Sequence, residues 1–320
     1  MPALPSGPLA SLVVFAVGVV LAVWATERLL EGLVGLARAA SLSAFAVGAL
    51  LSGFEAENVA VGLAAGVDAA PEVALGTVFG GATFLVCVAL GLGGVLYPLR
   101  VELPRGVLLV FAATPVAAGL AVLGGRTPRL AGLVLLALFA AAMAYLVLAS
   151  RRHEFLDPDE VEEALEKPRS GWAALGLTVV GTAVIAVGGE LVSTGAVGVI
   201  AGFGVPAGLM GMVVTPAAIE LEEVIRQAVP TREGRPEVSA GNLVGTLLYF
   251  LLFNLGLIAL LTPVDVSPRV RLVDWPALAV TTWLAAFFLA RGKVGRVEGA
   301  ILLAAYTAYV VLHLAPLPVG

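Results

Sequence analysis

In a chain of 320 residues, 60% of positions are hydrophobic, only 13% are charged, and the mean hydropathy is +1.03. A water-soluble core cannot absorb that much apolar surface, which makes lipid the solvent and leaves no room for a separate soluble domain. The net charge of −5 hides an uneven spread of Lys and Arg, and a lone cysteine, Cys87 in an apolar run, excludes disulfide frameworks and cysteine metal clusters.

Crossing about 30 Å of hydrocarbon takes about 20 apolar residues. With breaks set at charge, Gly and Pro clusters, ten spans follow one another at roughly 9–26, 43–66, 72–97, 104–124, 130–150, 172–191, 206–228, 237–262, 275–291 and 296–315. The less apolar stretch Thr26 to Ala40 extends the first helix toward its membrane surface, and Met1 to Pro8, without a basic residue, is not expected to open a cleavable signal peptide. Between spans five and six, Arg151 to Ser170 carries seven acidic residues without the ligand order of an EF-hand, and reads as a solvated connector. The expected fold class is an all-α membrane protein of ten transmembrane helices, with five spans over residues 1–150, an acidic cytoplasmic linker over 151–171 and five spans over 172–320.

With the N-terminus outside, the outer surface holds only Arg126, Arg129, Arg269 and Arg271. The other 14 basic residues, Arg226 among them, fall on the cytoplasmic side. That bias predicts both termini outside.

The second half repeats the first. At an offset of 163, Glu27 falls on Glu190, Gly32 on Gly195, Gly35 on Gly198 and Gly48 on Gly211. After two extra residues, Phe54-Glu-Ala-Glu-Asn-Val59 falls on Ile219-Glu-Leu-Glu-Glu-Val224 and Pro71-Glu-Val-Ala-Leu-Gly-Thr-Val-Phe-Gly80 on Pro236-Glu-Val-Ser-Ala-Gly-Asn-Leu-Val-Gly245. Five spans is an odd number, so the second copy enters the bilayer inverted; inverted-topology repeats are a mark of secondary transporters, whose sites lie at the midplane where the repeats meet.

The matched clusters place Glu55 and Glu57 in the second span and Glu220, Glu222 and Glu223 in the seventh. Each ionised carboxylate there costs about 2.5–3.5 kcal/mol. With Arg226 assigned to the cytoplasmic end, the expected compensation is a bound cation or bound protons. Glu residues two apart point about 200° apart on a regular helix, so both face one ion only where the helix is broken, and Gly53 and Pro216 stand near the two clusters. Carboxylates joined by freed backbone carbonyls suit a hard cation such as calcium.

Elsewhere Asp68, Glu72 and Glu237 are expected to be solvated at turns, and His153 and His313 support neither zinc binding nor catalysis. Gly76, Gly80, Gly241 and Gly245 are expected to permit close helix approach. No nucleophile with a base and no metal triad marks an enzyme, and carboxylates concentrated at one depth differ from the continuous polar lining of a channel.

At these residues the chain resembles the sodium/calcium exchanger membrane region of the calcium/cation antiporter superfamily. That family pairs Glu-bearing motifs on its second and seventh helices with Gly-Asn-x-x-Gly-Ser-Asn stretches on the third and eighth. Here the first core reads Gly53-Phe-Glu-Ala-Glu-Asn58 and the second Ile219-Glu-Leu-Glu-Glu-Val224, followed by Gly76-Thr-Val-Phe-Gly-Gly-Ala82 and Gly241-Asn-Leu-Val-Gly-Thr-Leu247. Counted by different branches, the family Glu falls on Glu57 or Asn58 in the first copy and on Glu223 or Glu222 in the second. The family's Ser-Asn pair is replaced by Gly81-Ala82 and Thr246-Leu247, which leaves fewer oxygens for sodium and keeps proton coupling open.

The resemblance implies an alternating-access antiporter, not an enzyme, that exports calcium in exchange for sodium or protons. Glu57 and Glu222 with Glu55, Glu220, Glu223 and Asn58 would hold the cation, and Thr77, Asn242, Thr246 and Asn254 would add secondary oxygens. No cofactor and no nucleic acid is implied; the partners are membrane lipid and inorganic cations, and the location is the plasma membrane. The alternatives are an antiporter for another cation and a non-transporting relative.

Overall fold

The computed structural model describes residues 7–40, 44–47, 49, 62–63, 71–152, 171–201 and 220–314. The chain is helical nearly throughout these residues. Helix α1 (Pro8–Ala40) runs 33 residues and absorbs the less apolar stretch after Thr26, and α2 (Ala44–Val47) is a single turn. Helices α3 (Pro71–Phe84) and α4 (Leu90–Leu96) are joined through a π-helical segment at Leu85–Ala89. A two-residue strand β1 (Leu99–Arg100), α5 (Arg105–Val122) and α6 (Arg129–Arg152) complete this half.

The second half begins with α7 (Gly171–Ala201), which continues ten residues beyond the expected end of the sixth span. Next come α8 (Leu221–Arg232) and α9 (Pro236–Leu248), a π segment at Tyr249–Asn254, and α10 (Leu255–Leu261). A further π segment at Val270–Asp274 leads into α11 (Trp275–Ala290), so this helix starts earlier than expected. Strand β2 (Lys293–Val294) and α12 (Arg296–Leu314) close the described chain.

Burial separates the helices into two kinds. The composite helices Ala74–Leu96 and Pro236–Leu261 are covered over most of their length and form the centre of the core, where Phe79, Leu85, Leu247 and Phe250 are inaccessible or nearly so. Helices α5, α6 and α11 instead present Leu109, Leu120, Leu130, Leu133 and Phe287 outward. An apolar side chain turned out of the bundle costs nothing when the surroundings are lipid tails rather than water. Among the described residues five helices are long and apolar enough to cross a membrane: Ala74–Leu96, Arg105–Val122, Arg129–Ala149, Pro236–Leu261 and Val270–Ala290. Most of the expected second span, the first half of the seventh and the acidic linker from His153 to Ser170 lie outside the described residues.

Contacts recur in exchanged pairs. The π segments Leu85–Ala89 and Tyr249–Asn254 interrupt the two central helices 165 residues apart, give or take one. A methyl at Gly32 would sit 2.6 Å from Thr178 Oγ1, and one at Gly195 would sit 2.5 Å from Phe15 N: the same two positions, each displaced by 163. Gly132 packs against Gly256 and Leu260 just as Gly299 packs against Gly91 and Val95. The antiparallel pairing of Arg100 with Lys293 has its counterpart in the bridge between Asp265 and Arg126. At Gly241 and Gly245 the backbone of Phe45 and Ala49 approaches so closely that no Cβ fits, as expected, whereas a methyl at Gly76 would meet nothing within 4 Å.

Candidate functional site

Helix α8 starts at the acidic cluster. Glu220 occupies the turn before it with φ −83° and ψ 2°, and its carbonyl accepts from the Glu223 N–H at 3.0 Å. Glu222 and Glu223 fill the first helical turn, where unsatisfied N–H groups and the helix dipole favour negative charge. All three carboxylates are buried, with relative exposures of 1%, 7% and 0% at Glu220, Glu222 and Glu223.

Their counter-charge comes from the same helix. Arg226 Nη1 donates to Glu223 Oε1 at 2.8 Å and Nη2 to Glu222 Oε1 at 2.7 Å. This corrects the expectation that no basic residue lies at the depth of the carboxylates. Residues three and four apart share a helix face, and a long Arg side chain carries its charge well away from its own Cα, so a residue placed near the surface by its position still serves the interior.

Helix α9 contributes the second wall. Asn242 Nδ2 donates to the other oxygen of Glu223, Oε2, at 2.8 Å. Asn242 Oδ1 and Thr246 Oγ1, one turn apart on one face, are buried without a hydrogen-bond partner. One turn further, the Phe250 ring and Glu220 Oε1 both come within 3.3 Å of where a Cβ on Gly81 would stand. Glu220 thus fills space opened by the missing side chain at position 81. Helix α8 is fixed to α9 by Ser239, whose hydroxyl donates to the Gln227 carbonyl at 2.8 Å and lies 2.8 Å from Thr231 Oγ1. The Gln227 side-chain amide, one turn beyond Glu223, is itself buried without a partner.

The structure therefore gathers Glu220, Glu222, Glu223 and Asn242, with Thr246 one turn beyond Asn242 on the same face of α9. Glu55, Glu57 and Asn58 lie outside the described residues. Thr77 is buried beside Gly62 and donates its hydroxyl to the Ala74 carbonyl at 3.0 Å. Asn254 is buried and its amide atoms lack partners, but twelve residues along the helix place it roughly 18 Å from Asn242, at a different level. Glu237, expected to be solvated, is instead buried at 5% exposure in the first turn of α9.

A second polar cluster had no counterpart in the sequence reading. Asp274 Oδ1 accepts from the Tyr309 hydroxyl at 2.9 Å and lies 3.0 Å from His313 Nε2. Arg269 Nη1 donates to the His313 carbonyl at 3.1 Å. Tyr309 and His313 are four apart on α12, a spacing that marks a shared face, yet nothing local points to Asp274 35 residues earlier.

Comparison with known proteins gives the same frame. The chain is 28% identical over 184 residues to the putative antiporter CaxA of Alkalimonas amylolytica, a match over 54% of this chain and 57% of CaxA, little more than half its length. It is 24% identical over 267 residues to the inner membrane protein YrbG of Escherichia coli strain K12, covering 79% and 80% of the two chains. The fold is that of the sodium-calcium exchanger NCX_Mj: the form soaked with 10 mM Na+ and zero Ca2+ superposes with a TM-score of 0.78 at 20% identity over 95% of this chain and 99% of that one. The form soaked with 2.5 mM Na+ and 10 mM Sr2+ gives 0.79 at the same identity and coverage. The family described as sodium/calcium exchanger protein matches residues 10–148 and 173–315, and the chain belongs to that family.

Proposed function

We propose that this protein is a secondary cation antiporter that works by alternating access and exports calcium in exchange for sodium or protons. The observation that carries the reading is the burial together of three carboxylates, Glu220, Glu222 and Glu223, beside Asn242, which bonds Glu223 and keeps a buried Oδ1 without a partner, with a second such oxygen, Thr246 Oγ1, one turn further along α9. Hard cations take oxygen ligands of this kind, and in transporters built from inverted repeats such ligands gather where helices start or break near the midplane.

The exchanged contacts between the halves support two inverted five-helix repeats, residues 1–150 and 172–320, on either side of the linker. On that arrangement Glu55, Glu57 and Asn58 supply the opposing wall, and Thr77 corresponds to Asn242. CaxA, named a putative antiporter, and NCX_Mj, named a sodium-calcium exchanger, lend the transport mode and the ions. The bias of Lys and Arg supports a plasma-membrane protein with both termini outside.

The test is calcium-45 uptake into proteoliposomes driven separately by an outward sodium gradient and by a proton gradient, for the parent and for Glu57→Gln and Glu222→Gln. Uptake under one gradient, lost in both variants, is the expected result and names the coupling ion. No uptake under either gradient by correctly inserted protein contradicts the calcium reading. That outcome favours a non-transporting relative, a second reading suggested by Arg226, which already occupies two of the carboxylates.

A further inference from the structure

Arg226 is the one buried Lys or Arg among the described residues, and it is spent on the carboxylates that the antiport reading assigns to transported cations. Its two terminal nitrogens bridge Glu223 Oε1 and Glu222 Oε1, while the remaining oxygen of Glu223 accepts from Asn242. Both oxygens of Glu223 are therefore held by donors belonging to the protein. A guanidinium keeps its charge at every physiological pH and cannot leave its chain, so unlike a metal ion or a proton it does not exchange with either bulk solution. The three carboxylates and this one cation carry a formal charge of −2 where the carboxylates alone carry −3.

We propose that Arg226 is a resident counter-cation of the transport site: it permanently occupies one cation-equivalent between Glu222 and Glu223 and so sets how much charge the site takes from solution in each cycle. The inference rests on the antiport reading and extends it from the class of ion to the coupling ratio. Whatever charge Glu55 and Glu57 add from the opposing wall, the site with Arg226 takes one fewer positive charge from solution than the same site without it. The placement also accounts for why three carboxylates are tolerated side by side. Removing Glu222 alone leaves Arg226 with Glu223, whereas removing Arg226 takes away the charge partner that both share.

The test is the reversal potential of cation exchange in proteoliposomes clamped with potassium and valinomycin, measured with calcium on one side and the coupling ion on both. In Arg226→Gln the charge moved per cycle changes by one elementary charge, and KM for calcium falls by about tenfold or more, because an added unit charge a few Å away in a low-dielectric site is worth at least one decade of affinity. Arg226→Lys, which keeps the charge but lacks the bidentate fork, retains the parental reversal potential at a lower rate. An Arg226→Gln protein that moves the parental charge with an unchanged KM overturns the proposal, as does an Arg226→Lys protein that shifts like the Gln variant. Where Arg226→Gln does not insert, Arg226→His carries the test: its reversal potential is expected to be parental at acid pH, where the imidazole is charged, and to shift by one charge at alkaline pH, whereas a purely structural Arg226 predicts no shift beyond the pH dependence of the parent. The parent measured alongside separates the two claims: flux in the parent with no charge change in the variants sinks only the role of Arg226, and a silent parent removes the antiport reading and this inference with it.

Discussion

Replacing Gly245 by Ala tests the packing that holds α9 in place. The residue lies between Asn242 and Thr246, and a methyl group on it would stand 2.6 Å from Ala49 Cα and 2.8 Å from its carbonyl carbon, with the carbonyl oxygen closer still. Relaxed carbon contacts are about 3.5–4.0 Å, so the segment around Ala49 and α9 must part by about 1 Å. Every atom met is backbone, and no side-chain rotation relieves the clash. Overpacking typically costs about 1–3 kcal/mol, and with no rotamer to yield the cost here belongs at the top of that range. Gly76, a glycine on the matching helix of the first half, is the control: an added methyl meets nothing within 4 Å, and Ala in a helix is favoured over Gly by about 0.5–1 kcal/mol. The assay is a paired thermal melt of the two variants and the parent in one detergent, with calcium uptake measured on the same preparations. Gly245→Ala is expected to melt below the parent and lose transport, while Gly76→Ala melts at or above the parent. A Gly245→Ala protein with parental melting and transport would refute the argument that backbone contact at this glycine sets the site.

Four further substitutions separate site from scaffold. Thr246→Val removes a buried hydroxyl that has no hydrogen-bond partner, so melting is expected to hold or rise while KM for the transported cation increases; an unchanged KM would remove Thr246 from the ion path. Thr77→Val breaks the hydroxyl bond to the Ala74 carbonyl and is expected to cost about 1 kcal/mol in a chemical denaturation series. Tyr309→Phe takes the hydroxyl from Asp274 and is expected to destabilise by ~1.5–3 kcal/mol with KM unchanged, since the cluster ties α12 to the start of α11 away from the carboxylates. Trp275→Phe loses the indole bond to the Pro115 carbonyl, 2.8 Å long, and is expected to lower the melting temperature by the equivalent of ~1 kcal/mol without altering the coupling ratio.

How much of this was legible in advance depends on the range of the interaction. Helix ends from Pro71 to Leu96 and from Pro236 to Leu261 follow from apolar run length, with Pro at each start, and fell within a residue or so of expectation. The matched glycines predicted a backbone contact at Gly241 and Gly245, because small residues at helical spacing have that one common use. Arg226 was misjudged because hydropathy assigns depth to a Cα, whereas its charge sits several bonds away. The clue was present in the spacing Glu222-x-x-x-Arg226 and Glu223-x-x-Arg226, which puts all three side chains on one face. Glu237 followed the same error in reverse: an acidic residue beside a turn reads as solvated, but it is buried in the first turn of α9. The π segments at Leu85–Ala89 and Tyr249–Asn254 and the Asp274 cluster carry no local signature, since each depends on which helix packs alongside.

The central claim, that one carboxylate site serves cations from both sides in turn, is tested most directly by counterflow. Vesicles loaded with calcium-45 are diluted into alkaline medium without exchangeable metal cations, buffered to the same pH on both sides with the membrane potential clamped, and cold calcium is then added outside, for the parent and for Glu223→Gln. The account predicts negligible efflux until the outside cation is added, rapid exchange afterwards, and no exchange in Glu223→Gln. Efflux into cation-free medium at the same rate as into calcium would mean a continuous pathway and would contradict an antiport cycle at these residues.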